Sequence, residues 1–95
     1  MRISPAEIDN LLGSVKQIDQ NASVYLFGSR TDDHKKGGDI DIAILSKLVS
    51  LKEKIEIKYN FHQAFGEQKL DLLIVNDENI PFWQVVKDEA ILLTN

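Results

Sequence analysis

Residues 27–45 read FGSRTDDHKKGGDIDIAIL, and the fold turns on how this stretch is read. A short β-rich run over 24–27 ends at Gly28, which predicts a first strand followed by a Gly-Ser turn. The polar stretch 31–38 reads as a loop closed by Gly37 and Gly38, and 39–45 as a second strand. Side chains alternate along a strand, so Asp39 and Asp41 share one face while Ile40, Ile42 and Ile44 share the other. Buried strands seldom carry unpaired carboxylates, so something must offset the charge of this pair.

The flanking elements follow from their start and stop signals. Ser4-Pro5-Ala6-Glu7 offers an N-cap, a proline at the first helical position and a capping-box glutamate. Ile8, Leu11, Leu12, Val15 and Ile18 then fall at helical spacing, predicting a helix to about Asp19. Ser50 and Glu53 form a second capping box for a helix that ends at Gly66. Residues 70–75 (LDLLIV) read as a third strand. Pro81 starts a last helix, and 90–93 either continues it or forms a short final strand. The order predicts one α/β (α+β) domain over residues 1–95, a small mixed sheet with helices packed on one side.

The helix after Ser50 has a broad apolar face: Leu51, Ile55 and Tyr59 mark one side, and Ile57, Phe61 and Phe65 the other. One stripe is expected on the sheet. The second is expected on a neighbouring helix, with a second protein chain as the alternative.

Composition narrows the function classes. The chain has 95 residues, 43% hydrophobic and 27% charged, which are ordinary globular values. It has no cysteine, so neither disulfides nor a thiolate metal site exist, which fits a reducing cytoplasm. No apolar run approaches a membrane span and no signal-peptide pattern opens the chain, so a cytoplasmic protein without membrane contact is expected. A net charge of -4 argues against nucleic acid as a direct partner.

Two aspartates at this spacing repel and raise each other's pKa. A bound hard cation removes that penalty, and Mg²⁺ takes one or two carboxylates while leaving positions for water and phosphate oxygens. Asp71, inside the third apolar strand, adds a third acid if the two strands lie side by side in register. Three acids on adjacent strands suit a two-metal phosphoryl or nucleotidyl transfer site. The Gly28-Ser29 turn ends a strand, where backbone N–H groups and a hydroxyl can hold phosphate oxygens. Arg30, or Lys35 and Lys36, could neutralise further triphosphate charge.

GSR…GDIDIAIL followed by KLDLLIV resembles the minimal nucleotidyltransferases of the DNA polymerase beta superfamily. The resemblance runs from the first helix through the third strand and implies the nucleotidyltransferase fold. It implies that Gly28 and Ser29 bind nucleotide, where Arg30 is expected beside them from its charge, and that Asp39, Asp41 and Asp71 are the catalytic, Mg²⁺-binding acids. The third acid is implied to help activate the attacking hydroxyl. Members of this size are typically antitoxins paired with an all-helical HEPN-type ribonuclease toxin, to which they transfer AMP from ATP at a tyrosine. The chain departs from the family pattern in its loop, which lacks the usual Arg-Gly and carries Asp32 and Asp33. The alternative reading is a binding module that neutralises the toxin by occlusion. His62 and His34 are read without a ligand role, and Phe82, Trp83, Tyr25 and Tyr59 as packing residues.

Overall fold

The computed structural model describes residues 1–94. Its elements run α1 (Pro5–Ile18), β1 (Ser23–Phe27), a single 3₁₀ turn (Gly28–Thr31), β2 (Ile40–Leu45), α2 (Leu51–Phe65), β3 (Leu70–Val75), α3 (Pro81–Val86) and β4 (Ile91–Leu92). The strands form one mixed sheet in the order β3-β2-β1-β4. β1 is antiparallel to both β2 and β4. β2 and β3 are parallel, and α2 makes the crossover that a parallel pair requires.

The capping chemistry works as the sequence predicts. Ser4 Oγ accepts from the Glu7 amide, and the Ser4 amide donates to Glu7 Oε1 at 2.9 Å. The Ser50 amide donates to Glu53 Oε1 at 3.0 Å, and Gly66 closes α2 at φ 78°.

Strand alternation divides the hydrophobic residues into two layers. Val24, Leu26, Ile40, Ile42, Ile44, Leu70 and Leu72 meet Leu11, Val15, Ile57 and Phe61 of the two long helices. The opposite face carries Phe27, Ala43 and Val75 beneath Trp83 of α3, whose ring lies 5.2 Å from that of Tyr25. The long helices thus cover one face as expected, and the short α3 covers part of the other. Each fully buried large side chain contributes about 1.5–3 kcal/mol, so the helix-side layer dominates stability.

The second apolar stripe of α2 does not pack on a neighbouring helix. Leu51, Ile55 and Tyr59 are 71%, 61% and 62% exposed. The expectation fails for a topological reason. α1 meets the side of α2 that carries Asn60, through Asn10 and Ser14, and α3 lies across the sheet. Tyr59 is therefore not a packing residue in this chain, whereas Phe82, though 52% exposed, sets its ring edge-on to the buried Phe27 at 5.9 Å.

The end of β2 is held by a polar hub absent from the sequence reading. Ser46, 7% exposed, donates its hydroxyl to Asp19 Oδ2 at 2.6 Å and accepts from the amides of Leu48 and Val49. The Ser46 hydroxyl, then the Asn21 amide, holds the Asp19 carboxyl below its ordinary range. Ser46→Ala strands two amides and should lower the melting temperature by roughly 5 °C. A depressed carboxylate stabilises the fold above its unfolded pKa and stops doing so as pH falls through its folded value. The wild-type advantage over Ser46→Ala should therefore shrink in acid. Equal melting at neutral pH would show that the hub contributes nothing.

Candidate active site

Register brings the acids together. Asp41 pairs directly with Asp71 across the parallel β2–β3 ladder, and with Phe27 across β1–β2. Phe27 is the last residue of β1, so the turn at Gly28 lands beside Asp41. The approach is close: a Cβ at Gly28 would overlap Asp41 Oδ2, and the residue sits at φ 76°. Both facts call for glycine. Across the loop, a Cβ at Gly38 (φ 86°) would overlap Ser29 Oγ, so a second glycine lets the loop fold back onto that serine.

Asp39 lies one residue outside β2, which begins at Ile40, where the Ile40 amide donates to the Lys69 carbonyl at 3.0 Å. Its carboxylate pairs with Lys69 Nζ at 3.2 Å. The ammonium is 71% exposed, so the pair contributes little to stability. Its position matters more: Lys69 stands two residues before Asp71 and puts a positive charge where the carboxylates gather. Asp39, then Asp71 and Asp41, raise the pKa of Lys69. Partial burial, followed by repulsion from Asp71 and Asp39, pushes the Asp41 carboxyl above its ordinary range, and Lys69 partly offsets this.

The donor set is entirely carboxylate oxygen, which suits a hard cation. An ammonium already drawn to Asp39, and an Asp41 strained by like charge, both favour a cation at this patch. Among the described residues, however, no three acidic or histidine side chains converge on a single point. The register gathers the acids on one surface without focusing them.

Gly28 and Ser29 form the 3₁₀ turn, where the Thr31 hydroxyl donates to the Gly28 carbonyl at 2.7 Å. Arg30 braces the loop in this conformation, with Nη1 donating to the Arg2 carbonyl at 2.9 Å and Nε to that of Gly38 at 3.3 Å. Lys35 and Lys36 are exposed on the loop. The loop acids have local partners: Asp32 Oδ1 accepts from the His34 amide, and Asp33 pairs with the Met1 ammonium. His62 Nε2 lies 2.8 Å from the Gln68 carbonyl, consistent with a packing role.

A sizeable cavity lies away from these residues. A cleft of about 900 Å³ opens at the far end of β2 and β3, lined by Asp19, Asn21, Ser46, Lys47, Asp77 and Asn79 among others. It is open to solvent, and the paired acids lie at the opposite end of the same strands. Cavity size, a common guide to small-molecule sites, is the weaker signal here than carboxylates in register.

Arg2 and Lys69 were not read from the sequence as site residues. Alternation could have found Lys69, which shares a face with Asp71. Nothing local marks Arg2, because its partners are 27 to 35 residues away.

A family model described as "Polymerase beta, Nucleotidyltransferase" matches residues 7–95. The match spans nearly the whole chain, and the chain belongs to this nucleotidyltransferase family. A search of the curated proteins finds no match.

Proposed function

We propose that the protein is an antitoxin that transfers AMP from ATP to a tyrosine of a HEPN-type ribonuclease toxin. The observation that carries the enzymatic reading is the direct pairing of Asp41 with Asp71, with Gly28 against Asp41. Asp39, Asp41 and Asp71 would hold Mg²⁺. When bound, the ions would neutralise charge on the attacking and leaving oxygens. The turn amides and the Ser29 hydroxyl hold the β- and γ-phosphates. Asp71 accepts the phenol proton, which is easier to remove than an alkyl hydroxyl proton because a phenol has a pKa of about 10. The tyrosine oxygen then attacks the α-phosphorus. The bond from that phosphorus to the bridging oxygen breaks, and pyrophosphate leaves with the electron pair.

A protein acceptor is supported by the bare stripe of α2. Leu51, Ile55 and Tyr59 lie in a row, flanked by Lys52 and Glu56 on one side and Lys54 and Lys58 on the other, at about 100° per residue. The complementary surface is an apolar helix face with acidic residues opposite the Lys54–Lys58 flank. A second copy of this chain, packed antiparallel about Ile55, would bring like flanks together and set Lys54 of one copy against Lys58 of the other, so a different helical protein fits better.

Intact-mass spectrometry of the partner after incubation with Mg-ATP tests the proposal. An added AMP, lost with Asp39→Asn, supports it. The same stripe would also serve a module that neutralises by occlusion. An unchanged partner mass with toxicity still suppressed would establish that second reading and sink the first.

A further inference from the structure

From Gly28 to Asp39 no residue is buried, so the segment that carries Ser29 and leads into the first aspartate has no apolar anchor. Segments of that kind ordinarily open at little cost. Here hydrogen bonds from outside the loop take the place of packing, and most of them come from one residue. Arg2 donates from Nη2 to the Ser29 carbonyl at 3.1 Å, from Nε to the Asp32 carbonyl at 3.0 Å and from Nη1 to the Gly37 carbonyl at 2.8 Å. The Arg2 amide donates to the Arg30 carbonyl at 2.7 Å, and the Arg2 carbonyl accepts from Arg30 Nη1. One guanidinium therefore grips both ends and the middle of the loop.

The grip has a directional consequence. A trans peptide plane sets its C=O and the following N–H on opposite sides. Carbonyls drawn toward Arg2 at Ser29, Asp32 and Gly37 turn the amides of Arg30, Asp33 and Gly38 away from it. Carbonyls collected on one side and N–H groups on the other make a surface suited to an anion. The guanidinium fork supplies this because its donors are fixed in a plane; a lysine offers a mobile point charge instead.

We infer that Arg2 is a positioning residue for the triphosphate turn, ordering residues 29–38 so that the loop amides and the Ser29 hydroxyl are preset for phosphate. This rests on the nucleotide reading of that turn. Presetting a loop removes an ordering cost that would otherwise weaken binding. Arg2 does not touch the carboxylates, so its effect should fall on nucleotide and not on metal.

Titration calorimetry and amide hydrogen exchange on the full chain test this with Arg2→Met and Arg2→Lys. Arg2→Met should weaken binding of a non-hydrolysable Mg-ATP analogue by roughly tenfold, the scale of one lost hydrogen bond to a charged group. It should also speed exchange across 29–38 while leaving affinity for Mn²⁺ alone unchanged. Arg2→Lys should recover only part of the nucleotide affinity. Wild-type nucleotide affinity in Arg2→Met would overturn the inference, as would full rescue by lysine or a matching loss of Mn²⁺ affinity. If the wild type itself binds no nucleotide, the site reading fails first. Unchanged exchange in Arg2→Met would then refute the ordering role separately.

Discussion

Asp41→Asn should abolish nucleotidyl transfer while leaving the ligand-free protein as stable as the wild type, or more so. The carboxylate sits half-buried beside Asp71 and close enough to Asp39 to feel its charge, and its pKa is raised by burial and by both neighbours. A carboxyl whose folded pKa exceeds its unfolded value costs stability at neutral pH, and the cost disappears as pH falls through that window. Asparagine keeps the shape and removes the charge, so the mutant's advantage should be greatest near neutrality and fade in acid. Activity should fall by ~10³-fold or more, at or beyond the upper end for one lost electrostatic group. Stabilisation by Mg-ATP, about 2.7 kcal/mol at 100 times the dissociation constant, should vanish with it. Thermal melting with and without ligand checks both halves. A large loss of ligand-free stability would mean that Asp41 serves the fold.

Gly28→Val is expected to do comparable harm by a different route. A branched side chain disfavours φ 76°, and its Cβ would overlap Asp41 Oδ2. Left-handed backbone strain at a non-glycine residue costs about 1–3 kcal/mol, and relief requires moving either the turn or the aspartate. Both movements damage the site, so melting temperature and Mg-ATP affinity should fall together. Gly28→Ala should show the same defects in milder form, since it adds only the Cβ. Nucleotide affinity unchanged in both variants would place the triphosphate away from this turn.

The parts of the fold legible in the sequence are those set by local chemistry. β3 spans the predicted residues 70–75, and α2 lies between its predicted capping box and Gly66. Asp41 and Asp71 meet as strand alternation and a parallel pair would have them. Asp39 falls outside β2 because the Gly37-Gly38 turn delays the first ladder bond to Ile40. β4 stayed ambiguous because its two residues have no local signal and exist by pairing with β1, where the Leu93 amide reaches the Val24 carbonyl at 2.8 Å. Helical periodicity showed that α2 has two apolar sides but not which one finds a cover. The bracing of the loop by Arg2 depends on contacts across the chain, and no spacing rule encodes them.

The central claim is that carboxylates in register and a glycine-led turn make a centre for nucleotidyl transfer. Parallel reactions with the partner and Mg²⁺, using ATP labelled with ³²P at the α- or the γ-phosphate, test it most directly. The account predicts that α-label becomes attached to the partner, γ-label leaves as pyrophosphate, and Asp41→Asn does neither. Attachment of the γ-label would make the reaction phosphoryl transfer, and undiminished labelling by Asp41→Asn would move the chemistry away from these acids.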